Sequence, residues 1–183
     1  EDALERLKSL CDGFTSEMNQ KMETMWTKKL GLRRYDESLV TEMLQLMFQT
    51  KVDYTIFFRK LSNIPTKLAD LKDSFYLPSS EQIDNKWINW LRRWREHVNY
   101  EGGKDKRSNE MKRINPKYTW REWLITPAYE KAEMGDYSLI KELQSVLEKP
   151  YEEQSLKVQR KYDVLKPMKF FGAGGVSHYS CSS

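Results

Sequence analysis

Trp87, Trp90 and Trp94 stand three and four residues apart, with Leu91 and Val98 on the same stripe. That spacing falls on one side of a helix. Three indoles on one side of a helix need a core to cover them. The same three-and-four step recurs along the chain. No stretch alternates apolar and polar residues as a half-buried strand would. The expected fold class is therefore all-α, an irregular helical assembly with a flexible C-terminal tail.

Apolar residues at Leu4, Leu7, Cys11, Phe14, Met18, Met22 and Met25 predict a long first helix with one apolar face. Gly31 stops it, with Lys28 and Lys29 in its last turn, where cations suit the negative end. Cys11 lies on the apolar face and reads as a small buried hydrophobe. A second helix is expected over 38–49, with Asp36 at its start and Leu39, Met43, Leu46 and Met47 inward. A third runs over 53–61 and is closed by Pro65. The methionines at this spacing read as core.

Residues 62–80 form a connector, and Ser79 with Gln82 fits a capping box for the tryptophan helix. A charged helix over 105–113 should pack through Met111 and little else. Thr119 and Glu122 have capping-box spacing for the next helix. Pro127 would cost about 3 kcal/mol in a helix interior. The cheaper solution is a new start, with Thr126 as N-cap and Pro127 at the first helical position. Gly135 stops that piece, and Asp136 caps a helix carrying Leu139, Ile140, Leu143, Val146 and Leu147. Pro150 ends it. From Tyr151 onward no apolar period persists, so residues 1–150 read as the helical body and 151–183 as an irregular tail ending Cys181-Ser182-Ser183.

Composition narrows the function classes. The chain has 183 residues, 39% hydrophobic and 13% aromatic, too aromatic for a wholly disordered chain. No apolar run approaches the roughly 20 residues that cross a bilayer. Thirty-one basic and 27 acidic residues give +4, which lacks the density of a dedicated nucleic-acid binder. Two cysteines are too few for a disulfide framework, and two histidines leave little for a zinc site. A reducing, non-secretory setting follows. The chain opens in helical register without Met, and reads as a segment of a longer protein. Gly102-Gly103 before Lys104 lacks the spacing of a phosphate loop.

Two binding readings stay open on residues alone. Trp87, Trp90 and Trp94, or the methionine faces, could form a groove for a partner protein. Arg92, Arg93, Arg95, Lys104, Lys106 and Arg107 could meet single-stranded nucleic acid. The buried tryptophan stripe with a solvated arginine face is preferred over the nucleic-acid reading.

A collinear set of short motifs then sharpens the picture. Lys29-Leu30-Gly31-Leu32 follows the first helix. Asp53-Tyr54-Thr55, Phe58-Arg59 and Leu61-Ser62 come next, followed by Trp87 and Trp90-Leu91. Met111, Asn115-Pro116-Lys117-Tyr118, Arg121, Leu124, Ala128, Glu130, Ala132 and Gly135-Asp136-Tyr137 form the most specific run, and Pro150-Tyr151 follows. In this order they resemble the C-terminal helical part of the selenoprotein O family, known in bacteria as YdiU. The sequence departs from the family pattern at Glu122, at Pro127 and within the tail.

The resemblance implies the C-terminal part of a protein-kinase-like fold, a pseudokinase that binds ATP with Mg2+ or Mn2+. It implies transfer of AMP to Ser, Thr or Tyr hydroxyls of protein substrates. The nucleotide, metal and catalytic residues belong to an upstream portion, so within 1–183 no catalytic, cofactor-binding or metal residue is assigned. The segment alone is expected to be inactive, its upstream kinase-like portion being its main partner. No membrane partner is expected. The family implies a mitochondrial setting in eukaryotes and a cytoplasmic one in bacteria. Cys181 occupies the place of selenocysteine in some relatives and is the one redox candidate, with Cys11 a possible partner.

Overall fold

The tryptophan stripe organises the larger of two cores. In a computed structural model, which describes residues 2–171, α4 spans Glu81–His97 and buries Trp87, Trp90, Leu91 and Trp94 completely or nearly so. The indoles are fixed by direction as well as by burial. Trp90 Nε1 donates to the Leu39 carbonyl at 2.8 Å, and Trp94 Nε1 to the Leu30 carbonyl at 2.9 Å. Those bonds tie α4 to α1 (Asp2–Leu30) and to α2 (Glu37–Thr50). Trp90 and Trp94 stack at 6.0 Å, and Trp87 meets Trp90 edge-on at 5.7 Å. Such ring pairs add specific geometry to area burial.

Capping chemistry sets the short helices. The Asp36 carboxylate accepts from Leu39 N at the start of α2, as the sequence predicts. Asp53 does the same for Ile56 N at the start of α3 (Tyr54–Leu61). Gly31 ends α1 with φ +66, and a Cβ there would lie 2.6 Å from Met111 Sδ. Only glycine meets both demands. That close approach seats α5 (Lys104–Ile114), which enters the core through Met111, against the end of α1.

The second core is smaller. It gathers Tyr118, Ala128, Leu143, Val146 and Tyr162 from α6 (Glu122–Glu133), α7 (Ser138–Leu147), α8 (Leu156–Tyr162) and the chain before α6. Gly135 ends α6 with φ +82, and the Asp136 carboxylate accepts from Ser138 N at 2.9 Å. Its hydrogen bonds to Ser138, with help from Lys131, pull the Asp136 pKa down to about 2. No named strand occurs among the described residues, where two isolated bridges, Leu32 with Val98 and Val52 with Phe75, serve instead.

Several local expectations are corrected. The 62–80 connector contains a 3-10 helix, Leu68–Ser74, which sends Leu68 and Leu71 into the main core. Ser80 caps α4, while the Ser79 hydroxyl turns to Asp84. The Thr119–Glu122 capping box does not form. Arg121 is held extended by its side-chain pairing with Asp53, so α6 starts at Glu122 and Thr119 Oγ1 sits 3.3 Å from Thr55 Oγ1. Pro127 does not start a new helix. It is the sixth residue of α6, where one backbone bond is lost and the packing of Ala128 in the second core offsets it. Residues 156–162, read as irregular, form α8, and a 3-10 turn follows at Met168–Phe170.

The largest correction concerns α1. Its last turns carry Trp26 and Leu30 into the core, with Met25 against it. The rest of its apolar stripe faces solvent: Leu4, Leu7, Phe14, Met18 and Met22 are all exposed, Phe14 at 65%. Cys11 is exposed as well, not buried. The spacing is right for a covered face, but no described element covers it. The described residues contain no helix long and apolar enough to cross a membrane.

Candidate functional site: a buried polar clasp between two cores

The densest polar chemistry lies where the two cores meet. Asp53 stays at the head of α3 because its carboxylate caps Ile56 N at 3.0 Å. The same carboxylate receives Arg121 in fork geometry, Nη1 at 2.7 Å and Nη2 at 3.1 Å, and the Tyr76 hydroxyl at 3.1 Å. Both charged side chains are more than nine-tenths buried. Bidentate pairing is the strong form of this contact. Arg121 Nη1 also donates to the Val164 carbonyl, and Lys166 N donates to Tyr76 Oη. Burial raises the Tyr76 pKa; the Lys166 N–H opposes this and the Asp53 charge adds to it.

A second knot lies one and a half turns along α3. Arg59 Nη1 donates to the carbonyls of Lys112 and Asn115, and Nη2 to the Tyr151 carbonyl and Glu153 Oε1 at 2.8 Å. Lys117 also reaches Glu153, with Asp163 at 3.5 Å. Burial pushes the Glu153 carboxyl up, but the hydrogen bonds from Lys117 and Arg59 outweigh it and hold the group below the usual range.

Asn115 links this knot to α1. Its Nδ2 donates to the Lys29 carbonyl at 2.8 Å and to Ser62 Oγ at 2.9 Å, while its Oδ1 accepts from Lys29 Nζ at 2.9 Å. Lys29 is buried and faces aromatic rings, 4.3 Å from the Phe58 centroid and 4.9 Å from that of Tyr54. Burial lowers its pKa to about 8. Cation–π attraction and one amide oxygen only partly replace lost water.

These groups satisfy one another. The arrangement can hold chain segments together; it presents no activated nucleophile with a base. No group of three His, Cys, Asp or Glu among the described residues is placed to hold a metal ion. The Gly102-Gly103 turn does not supply a phosphate cradle either, since Gly103 N is bonded to the Tyr100 carbonyl. The described residues of the clasp therefore do not fit an ATP or magnesium site.

The other sequence candidates scatter. Cys181 lies outside the described residues. Trp87, Trp90 and Trp94 line no groove, being core. Arg92 pairs with Glu96 and Arg93 with Glu42, while Lys106 and Arg107 both reach Glu110. Arg95 is half-buried, and Lys104 is exposed at the start of α5. The described arginine face is thus largely answered by carboxylates.

The motif residues do converge. Asp53, Arg59, Ser62, Asn115, Lys117, Arg121 and Tyr151 come from separate motifs and meet in this one clasp. The profile of the family described as Protein adenylyltransferase SelO matches residues 3–148.

The chain belongs to the SelO family.

Curated SelO-family relatives agree. The chain is 36% identical over 157 residues to Protein nucleotidyltransferase YdiU of Thioalkalivibrio sulfidiphilus, covering 82% of this chain and 31% of that protein. It is 34% identical over 178 residues to the protein of the same description from Tolumonas auensis, 93% of this chain and 34% of the relative. With that of Flavobacterium johnsoniae it shares 30% over 191 residues, 98% and 36% of the respective lengths. The chain thus spans about a third of the relatives it matches. Lys29, Tyr76, Glu153, Asp163 and Lys166 complete the clasp and were not singled out as polar partners from sequence. Their partners lie 23 to 94 positions away, and nothing local signals such pairing.

Proposed function

We propose that this chain is the C-terminal third of an enzyme that transfers AMP from ATP to Ser, Thr or Tyr hydroxyls of proteins. ATP and Mg2+ or Mn2+ would be held by the remaining, kinase-like portion. The role of residues 1–183 is to brace that portion, with Cys181 as a redox control. Its setting is mitochondrial in a eukaryote and cytoplasmic in a bacterium. The family match over residues 3–148 is the observation that carries the reading.

The exposed stripe on α1 supports it. Leu4, Leu7, Cys11, Phe14 and Met18 repeat in alternating steps of three and four, the seam geometry of paired helices. An apolar seam of this length in solvent marks an interaction surface. In a family whose members are about three times longer, the rest of the polypeptide is the occupant we assign to it. The same seam also suits an independent interaction module that docks on another protein.

The test uses the longer protein containing this chain, with the chain alone as control. Each is incubated with Mg2+ and ATP labelled on either the α- or the γ-phosphate. Protein-bound α-label from the longer protein alone fits AMP transfer. Bound γ-label would make the enzyme a kinase. No label from a folded protein would favour the interaction module. For Cys181, activity of the Cys181→Ser variant should lose its response to oxidant; an unchanged response removes the redox role.

A further inference from the structure

Between α6, α7, α8 and the turn at Met168–Phe170 lies a cavity of about 270 Å³. Trp123, Leu124, Leu139, Leu143 and Phe170 wall it. Pro127 and Pro167 also line it and bring no backbone N–H. Trp123 and Tyr162 bring the uncharged polar groups of the lining, and the buried Tyr162 hydroxyl stands beside the Lys161–Glu142 pair.

Charge completes the pattern. Lys161 and Lys169 stand in the lining. Lys161 Nζ is bonded to Glu142 at 2.7 Å, so its charge is answered. Lys169 lies 4.9 Å from the Phe170 ring centroid and has no carboxylate partner among the described residues. Over residues 155–171 the chain carries Lys157, Arg160, Lys161, Lys166 and Lys169 against the single acid Asp163. An apolar chamber with a cationic rim fits a molecule that is apolar at one end and anionic at the other.

We propose that this cavity binds a small amphipathic carboxylate, with its tail among Trp123, Leu139 and Leu143 and its carboxylate at Lys169. An engineered cavity of about 150 Å³ accepts benzene, so a chamber of this size suits a tail of roughly eight to ten carbons.

The probe is decanoate, titrated into this chain below its micellar range, with decanol as the uncharged control. Indole N–H signals are followed by NMR. The Trp123 signal should shift saturably while those of Trp90 and Trp94 stay. Decanol should bind at least tenfold more weakly. Lys169→Glu, a surface change, should weaken decanoate at least tenfold with helicity unchanged, and Leu139→Phe should block it by filling the chamber. Absence of saturable binding would overturn the proposal. So would equal binding by the parent chain and Lys169→Glu, or a uniform shift of all indoles.

Discussion

Along α4, Trp87, Trp90 and Trp94 repeat in steps of three and four and are fully buried. Along the first five turns of α1, Leu4, Leu7, Cys11, Phe14 and Met18 repeat in the same steps and stand in solvent. The sequence signal is the same. The difference is in what lies opposite. Around α4 the chain supplies α2, α3 and the end of α1, and two indole N–H groups find carbonyls on α1 and α2. Around the start of α1 the described residues supply nothing. Periodicity thus says that a face is built to be covered; it does not say that the same chain covers it.

The comparison breaks most sharply on paired truncations. Trp90→Ala should destabilise the chain by about 3–5 kcal/mol, because a buried ring, its stacking partner and the bond to the Leu39 carbonyl all go. Urea denaturation reads this directly. Phe14→Ala in the same chain should cost no more than about 0.5 kcal/mol, the level of an ordinary surface change. If the two cost the same, the stripes are equivalent and the contrast fails.

Next in size is the clasp. Arg121→Met leaves the Asp53 carboxylate buried without its cation, which should cost about 3 kcal/mol. The loss should fall on the junction of the two cores, seen as faster amide exchange at the start of both α3 and α6. A purely local change around residue 121 would remove the clasp from its role as a tie.

Lys29 gives a smaller effect with a definite sign. Its folded pKa is about 8 against an ordinary 10.5. Between those values the unfolded chain binds more protons than the folded one, so stability from this group rises as pH climbs from 8 to 10.5. Below pH 8 the penalty of a buried ammonium is present in full. The stability of Lys29→Met minus that of the parent chain should therefore fall across this window, by about 2 kcal/mol once the roughly 3 kcal/mol of the full shift is reduced for solvent screening. A flat difference would show that Lys29 is not desolvated. The raised pKa values of Tyr54, Tyr76 and Tyr118 act the other way above pH 10, which is why the difference is the useful quantity.

Helix existence was legible wherever capping and apolar spacing coincided. Asp36 and Gly31 sit where their chemistry puts them, and the inward set of α2 and α4 matches its spacing. Legibility failed where a distant partner overrides a local signal. Thr119 looks like a cap, yet Arg121 is captured by Asp53, 68 positions away, and the helix starts later. Pro127 looks like a start, yet the second core carries α6 through it. Tyr162 gave no signal because one buried ring in a charged stretch has no period. The clasp was legible only as separate motifs. Its assembly rests on pairings such as Arg59 with Glu153 that no local pattern announces.

Cys11 is a native reporter at the centre of the exposed stripe. The decisive measurement is the alkylation rate of Cys11, read by peptide-resolved mass spectrometry, in this chain and in the longer protein that contains it. Docking of α1 on the rest of the polypeptide requires the rate of a free exposed thiol in the chain alone and a rate at least tenfold slower in the longer protein. Equal rates in the two would contradict it, leaving the seam open for another partner.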